Sequence, residues 1–330
     1  MLEFLKPNGR TLDRVTDTDS DAAPAKGRPS IGLALGGGAA RGFAHIGVIR
    51  TLLAKGLKPD VVCGTSIGAV VGGALASDRL DFIEGWARSL SPRRVLGYLD
   101  VSLSGSGLIM GRRLAARIDE AVGDTAIEDL PMRFAAIATE IGTGHEIWLT
   151  RGRLADAVRA SYTLPGIFAP TRVGGRWLVD GALVNPVPVA AARALGARLV
   201  IAVNVNGELF GRGATISSHG SDADDALRNG LAGRYGLRRV LGTERDVKRR
   251  VLGAAGSPGL LTVMSEAFNI MQDRITRARL AGDPPDVLIQ PRLGRIGLFD
   301  FHRAEEAIAL GAEAAERAIE PLVEAIAALT

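Results

Sequence analysis

Two short apolar runs near the start of the chain each end in a glycine-rich turn, and each turn leads into a segment with helical spacing of apolar residues. Ile31–Leu35 runs into three consecutive glycines, and residues 61–63 run into the segment 64–68. A short apolar run that ends at glycine is typical of a buried strand, and the helical spacing after it predicts a strand–turn–helix unit. Because such units recur along the chain, the sequence predicts an α/β layered fold with a largely parallel central sheet.

The same periodicities predict the remaining elements and divide the chain into four stretches. Residues 1–30 have little to bury and predict a disordered lead-in, and residues 31–206 carry most of the alternating strands and helices. Residues 207–260 are rich in glycine, serine and charge and predict a mobile basic insertion, while 261–330 are expected to complete the same domain. Further strands are predicted at 134–139, 146–149, 176–179, 199–205 and 287–290, and helices at 43–53, 154–160, 187–195, 261–280 and from about 303 onward.

The charge balance excludes one large class of function and leaves another open. The formal net charge is +4, from 40 Lys and Arg against 36 Asp and Glu, which argues against a dedicated nucleic-acid binder. Residues 231–253 nevertheless hold seven basic and two acidic side chains. The basic residues from Arg234 to Arg250 therefore predict peripheral contact with an anionic membrane, with a solvated loop as the alternative.

Cysteine usage and hydropathy predict a cytoplasmic protein. The single cysteine, Cys63, cannot form an internal disulfide and is read as a small buried residue. The first residues lack a basic segment followed by an apolar one, so no signal peptide is predicted. Residues 61–77 carry no charge but are at the short limit for a membrane span, and a buried strand and helix explain them better. A peripheral position at the inner membrane face stays open.

The segment from Gly64 to Gly68 has the form G-x-S-x-G, between an apolar strand and an apolar helix. That context is the one in which a sharp turn lifts a nucleophilic serine, here Ser66, out of the sheet. The following helix N-terminus favours negative charge that develops nearby. The alternative is a glycine-rich turn in which Ser66 only caps the helix.

A second glycine-rich turn, from Gly36 to Gly42, also follows a strand and opens a helix, so its backbone amides could bind negative charge. A dinucleotide-binding turn is the alternative. That motif requires G-x-G-x-x-G, and Arg41 occupies the last glycine position when the pattern starts at Gly36. Two such turns in succession are typical of a site in which one turn binds an oxyanion and the other carries a nucleophile.

A carboxylate follows the predicted strand at residues 176–179. Asp180 could reach a serine across the top of the sheet and act as a base, and the adjacent Gly181 would leave room for the Ser66 side chain. The alternative is that Asp180, in the tripeptide Asp-Gly-Ala at residues 180–182, is an ordinary aspartate of a surface turn.

These three segments, in this order, resemble the patatin-like phospholipases, particularly the bacterial branch related to neuropathy target esterase. Residues 160–170 resemble a further block of that family, and residues 283–291 and 299–303 resemble its RssA-like subgroup. The resemblance implies a three-layer α/β/α sandwich with a mostly parallel central sheet.

The resemblance also implies roles for individual residues. Ser66 would be the nucleophile and Asp180 the general base. The backbone amides of Gly37 and Gly38 would form the oxyanion hole, with Arg41 beside them. Ala39 stands where the family usually has a third glycine, and its amide can donate if its φ is negative. The remaining motif glycines are Gly36, Gly42, Gly64, Gly68 and Gly181.

A Ser-Asp dyad requires that none of the four histidines acts as base. His219 lies in the polar insertion, and His145 is expected in a hairpin turn. His45 follows the first glycine-rich turn, where packing is the expected role. His302 is the credible rival base, although its context suggests hydrogen bonding at a helix start.

The predicted reaction is hydrolysis of a lipid or lysophospholipid ester through an acyl-serine intermediate. No metal or organic cofactor is predicted, because no Cys/His pair has zinc spacing and no calcium-binding loop is present. Two alternatives stay open: an acyltransferase with the same dyad, and a regulatory membrane-binding protein with low turnover. No oligomeric state is predicted.

Overall fold

The computed structural model describes residues 28–98, 107–109, 112–208 and 260–330. Most of the predicted lead-in and insertion, with the basic residues from Arg234 to Arg250 and His219, lies outside the described residues. No helix in the described ranges is both long enough and apolar enough to cross a membrane.

An eight-stranded sheet with the order β10-β9-β1-β2-β4-β8-β7 forms the centre of the fold, and β5 also pairs with β4. The five strands from β10 to β4 are parallel, whereas β4 is antiparallel to β5 and β8, and β7 is antiparallel to β8. The short strands β3 and β6 pair separately. The strands are β1 Ile31–Leu35, β2 Val61–Thr65, β3 Gly107–Ile109, β4 Arg133–Glu140, β5 Glu146–Leu149, β6 Gly166–Phe168, β7 Thr171–Val173, β8 Arg176–Asp180, β9 Leu199–Val203 and β10 Val287–Ile289.

Helices cover both faces of the sheet, which confirms the predicted three-layer α/β/α architecture. On one face Leu33 and Leu35 pack with residues of α1, α2, α6 and α9, and on the other Ala34 packs with residues of α7. The helices are α1 Ala44–Ala54, α2 Ile67–Ala76, α3 Leu80–Arg88, α4 Pro92–Tyr98, α5 Arg112–Val122, α6 Leu154–Tyr162, α7 Val189–Ala194, α8 Leu260–Gly282 and α9 Ala304–Ala327.

The predicted elements all appear, most of them with ends shifted by one or two residues. The prediction omits α3, α4 and α5, together with the short strands β3, β6 and β7. β10 pairs with β9 in the same sheet as the earlier strands, so the chain after residue 260 adds to the core that the chain before residue 207 begins.

The last helix, α9, lies against the first, α1, with backbone in contact with backbone. A methyl group on Gly47 of α1 would lie 1.9 Å from the carbonyl oxygen of Ile308, and one on Gly311 of α9 would lie 2.0 Å from that of Ala44. Neither space can open without moving a helix, because the obstructing atoms belong to the main chain. The two glycines therefore set the distance between the helices.

This contact predicts opposite effects for two glycine-to-alanine substitutions within helices. Gly47→Ala should reduce the free energy of unfolding by about 2 kcal/mol or more, because overpacking forces α1 and α9 apart. Gly85→Ala in α3 is the control, since a methyl group there meets nothing within 4 Å. It should raise the free energy of unfolding by up to about 1 kcal/mol through helix propensity. Urea unfolding of both variants measures the difference, and equal stability would contradict the close contact.

Candidate active site

Ser66 occupies the turn between β2 and α2 in a backbone conformation that is rare for a residue with a side chain. Its φ is 57° and its ψ is −123°. Such a conformation costs on the order of 1–3 kcal/mol and persists only where the surroundings enforce it. Here a methyl group on Gly68 would lie 2.1 Å from the Leu35 carbonyl oxygen, and one on Gly64 would lie 2.4 Å from that of Gly68. The glycines thus let strand and helix approach closely enough to hold the strained turn.

The Ser66 hydroxyl donates a hydrogen bond to Asp180 instead of capping α2. The distance from Ser66 Oγ to Asp180 Oδ2 is 2.6 Å, and no side-chain bond from Ser66 caps the helix. Both residues are buried, with 9% of Ser66 and 2% of Asp180 exposed. The structure therefore brings Ser66 and Asp180, both predicted from the sequence, together where little of either side chain is exposed to solvent.

Asp180 reaches Ser66 through the register of an antiparallel strand. β8 overlaps β4 only at its C-terminal end, where Asp180 pairs with Ala138, and Thr65 of β2 pairs with the adjacent Ile137. Gly181 contributes in a different way from the one expected. A methyl group on it would lie 2.3 Å from the Ile137 carbonyl oxygen, so its space is needed against β4 and not against Ser66.

Hydrogen bonds hold the Asp180 carboxylate and backbone in place. Oδ1 accepts from the Ala182 amide at 2.8 Å, while Oδ2 accepts from Ser66. The Asp180 amide donates to the Thr163 carbonyl, and the Thr139 hydroxyl donates to the Asp180 carbonyl. Burial raises the pKa of Asp180 to about 7, although the hydrogen bonds from Ser66 and Ala182 oppose this shift.

Ser161, in α6, holds the backbone of the turn that carries Ser66. Its Oγ accepts from the Ser66 amide at 2.9 Å and donates to the Ile137 carbonyl at 2.6 Å. The side chain is fully buried. Sequence reasoning did not single out Ser161, although it lies in the block at residues 160–170 that carries part of the family resemblance.

The loop after β1 lies directly beside Ser66. A methyl group on Gly37 would be 3.4 Å from the Ser66 Cβ. The Gly37 amide, however, donates to the Pro186 carbonyl at 2.9 Å and is not available to a ligand. In the part of the chain that the structure describes, the amides of Gly38 and Ala39 have no hydrogen-bond acceptor. The predicted Gly37–Gly38 pair is therefore replaced by Gly38 and Ala39 as the available donors.

Arg41 is buried behind this loop, with 3% of its surface exposed. Its Nη1 donates to Asn206 Oδ1 at 2.7 Å and to Asn269 Oδ1 at 3.2 Å, and its Nε donates to the Ile296 carbonyl at 2.9 Å. The guanidinium thus connects the glycine-rich loop to residues more than 160 positions further along the chain.

Comparison with known proteins shows the family to which the chain belongs. Residues 33–193 match the family profile of the patatin-like phospholipases. An NTE family protein of Mycobacterium tuberculosis is 37% identical over 330 residues, which covers 88% of this chain and 92% of that protein. The chain belongs to the patatin-like phospholipase family. Membership in this family supports lipid hydrolysis as its activity.

Other relatives match only part of their own length. A lysophospholipase of Yarrowia lipolytica is 37% identical over 180 residues, which covers 53% of this chain and 13% of that protein. Among solved structures, VipD from Legionella pneumophila aligns with 89% of this chain and 67% of its own, with a TM-score of 0.42 and 13% identity.

Ala39 stands where the family resemblance implies a third glycine, and it adopts a backbone conformation that favours glycine. Its φ is 47°, not the negative value expected for an alanine that donates from this loop. The left-handed conformation is uncommon for alanine. The amide still lacks an acceptor among the described residues, so the substitution leaves the donor in place.

The described histidines make no hydrogen bond to Ser66 or Asp180. His145 and His302 are exposed. His45 is buried, its Nε2 lies 2.7 Å from the Gly36 carbonyl oxygen, and desolvation lowers its pKa to about 4. His45 is therefore neutral at pH 7 and donates to the backbone of the glycine-rich loop. Burial also raises the pKa of the Cys63 thiol, so it stays protonated.

No group of three or more His, Cys, Asp or Glu within the described ranges could hold a metal ion.

The raised pKa of Asp180 predicts that Asp180→Asn stabilises the fold at alkaline pH. An unfolded aspartate loses its proton near pH 4, while the folded one keeps it to about pH 7, so ionisation destabilises the wild type as pH rises between these values. Unfolding free energies of the two proteins should be similar at about pH 3, below the pKa of the unfolded aspartate. At pH 8 the variant should be more stable by on the order of 4 kcal/mol. A constant difference from pH 5 to 8 would contradict the buried, destabilised carboxylate.

Proposed function

We propose that the protein is a serine lipid-acyl hydrolase of the phospholipase or lysophospholipase type that works through a Ser66–Asp180 dyad. The observation that carries the proposal is the 2.6 Å hydrogen bond from Ser66 Oγ to Asp180 Oδ2 in a buried turn. A serine hydroxyl requires an adjacent base to become a nucleophile at neutral pH. Asp180 is the group that accepts its proton.

In the acylation step, Ser66 Oγ attacks the carbonyl carbon of the ester while its proton moves to Asp180 Oδ2. The resulting tetrahedral intermediate carries a negative charge on the former carbonyl oxygen. It collapses with cleavage of the bond to the leaving alcohol, and the leaving oxygen takes the proton from Asp180. The fatty acyl group is then esterified to Ser66.

Deacylation follows the same path with water as the nucleophile. Asp180 accepts a proton from water as the water oxygen attacks the acyl carbon. When this second intermediate collapses, Ser66 Oγ leaves and takes the proton back. A free fatty acid is released, and both residues return to their initial state.

The amides of Gly38 and Ala39 are proposed to stabilise the oxyanion. Fixed backbone donors do not have to reorganise as charge develops, and they act most strongly where water is excluded. The N-terminus of α2, which begins directly after Ser66, adds a favourable dipole.

The pKa of Asp180 is suited to its proposed role. An ordinary aspartate, with a pKa near 3.9, removes a serine proton poorly, whereas a base with a pKa near the working pH balances ionisation against proton affinity. Burial brings the pKa of Asp180 to about 7, which supports a carboxylate as the base without histidine.

Substitution of each dyad member should abolish hydrolysis. Ser66→Ala should lower the rate by on the order of 10⁶-fold, because the nucleophile is lost, and Asp180→Asn should fall nearly as far. His302→Ala is the control and should stay within roughly tenfold of wild type. A short-chain nitrophenyl ester and a lysophospholipid serve as substrates, with folding checked by circular dichroism. If His302→Ala were inactive while Asp180→Asn kept activity, the base would be histidine.

The activity should also depend on pH through the ionisation of Asp180. As pH falls below about 7, kcat/KM should decrease tenfold per pH unit, since only the ionised carboxylate can accept the Ser66 proton. The profile is measured from pH 5 to 9 with an uncharged ester. A rate that stays constant down to pH 5 would exclude a base with this pKa.

A further inference from the structure

The side chain of Asn206 is buried behind the glycine-rich loop and bonds to it directly. Asn206 Nδ2 donates to the Gly37 carbonyl oxygen at 2.9 Å and to Gln272 Oε1 at 2.7 Å, and Oδ1 accepts from Arg41 Nη1 at 2.7 Å. Only 3% of the residue is exposed. It lies just beyond β9, outside every motif that marks the site in the sequence.

We propose that Asn206 is a positioning residue for the oxyanion hole, which fixes the orientation of the Gly37–Gly38 peptide and thereby the direction of the Gly38 N–H. The inference rests on the proposed function, because it assumes that the Gly38 amide stabilises the oxyanion.

The argument starts from the geometry of a peptide group. In a planar trans peptide the carbonyl oxygen and the following N–H point in opposite directions. The described residues contain no cis peptide bond, so a donor that holds the Gly37 oxygen also directs the Gly38 hydrogen to the other side. Two consecutive glycines have little steric preference of their own, and the peptide between them would otherwise rotate easily.

Bonds on both sides of Gly37 restrict that rotation. The Gly37 amide donates to the Pro186 carbonyl, and the Gly37 carbonyl accepts from Asn206. Any flip of the Gly37–Gly38 peptide must break the bond to Asn206 and leave a buried Nδ2 hydrogen of Asn206 without its acceptor, which costs about 1–3 kcal/mol. The orientation that leaves the Gly38 N–H without an internal acceptor is therefore the stable one.

Arg41 determines which end of the Asn206 amide faces the loop. A guanidinium has only donors, so the Asn206 atom next to it must be the oxygen, and the nitrogen must face Gly37. Arg41 is held in turn by Asn269 of α8 and by the Ile296 carbonyl. Gln272 of α8 accepts the second Nδ2 hydrogen, which leaves the Asn206 amide fully bonded.

Asn206→Asp tests the proposal with little change in shape. The carboxylate keeps an acceptor for Arg41 but cannot donate to the Gly37 carbonyl, and its charge repels that oxygen. Asn204→Asp is the matched control, because its Oδ1 accepts from the Asn206 backbone amide and a carboxylate can do the same. It places the same charge in the same loop without removing a donor to Gly37.

Two measurements distinguish a positioning role from a loss of structure. The first is the separation of kcat from KM on a short-chain ester. The second is the inhibition constant of an alkyl trifluoromethyl ketone, whose adduct with Ser66 carries an oxyanion. Because the adduct mimics the transition state, weaker oxyanion binding should affect kcat/KM and the inhibition constant by the same factor.

For Asn206→Asp, kcat should fall by about 10²- to 10³-fold with KM within roughly threefold, and the inhibition constant should rise in parallel. Asn204→Asp should lose less than about tenfold in kcat. Asn206→Ala removes the donor without adding charge and should show the same pattern, which provides a second test if Asn206→Asp does not fold.

Two results would overturn the proposal. One is a kcat for both Asn206 variants within about threefold of wild type. The other is a lower kcat with unchanged affinity for the ketone, since a general loss of folded protein would produce it. If instead Ser66→Ala stays active or the ketone does not bind wild type, the proposed function itself fails.

Discussion

α2 approaches β1 so closely that Gly68 faces the Leu35 carbonyl with no room for a methyl group. This contact fixes the turn in which Ser66 adopts a positive φ, because the helix cannot shift away from the sheet without losing its apolar packing. It also sets the distance between Ser66 and the loop that continues from Leu35. A single backbone contact thus determines where Ser66 lies relative to the amides of Gly38 and Ala39, which are proposed to bind the oxyanion. Within the described residues, the other features of the site are arranged around it.

The proposed dyad depends on the burial of the Asp180 carboxylate. Removal of water from Asp180 destabilises its ionised form, and this raises its proton affinity to a value suited to neutral pH. The same desolvation lowers the stability of the folded chain whenever Asp180 is ionised. If Asp180 is the base, as proposed, function and stability make opposite demands on this residue, as is common where an active site requires a buried charge. Hydrogen bonds from Ser66 and Ala182 reduce the conflict but do not remove it.

The sequence was sufficient to predict the architecture and the proximity of Ser66 to Asp180, because glycine turns and apolar periodicity report directly on strands and helices. The end of a strand does not by itself place Asp180 beside Ser66, because only parallel strands have their carboxyl ends at the same edge of the sheet. β8 is antiparallel to β4, and only the register of their short overlap brings Asp180 to Ser66. Registers depend on packing that a single sequence does not display.

Features that depend on contacts between distant segments could not be predicted. The bond from Gly37 to Pro186, which leaves Gly38 and Ala39 as the free amides, joins residues 149 positions apart. Asn206 also lacks any local signal, because an asparagine after a strand usually forms a turn. The helices α3, α4 and α5 lie outside the predicted elements, although α3 and α5 are amphipathic.

The position of β9 limits where the chain could be cut or joined to another protein without loss of the sheet. The family profile ends at residue 193, yet β9 begins at Leu199 and lies between β1 and β10 among the parallel strands. A fragment cut at the end of the profile would leave β1 as a bare, fully apolar edge, which is prone to pair with other chains. It would also separate Arg41 from Asn206 and Ile296. The segment that carries the recognisable motifs is therefore not an autonomous module, and any recombination that preserves this site must carry the two ends of the fold together.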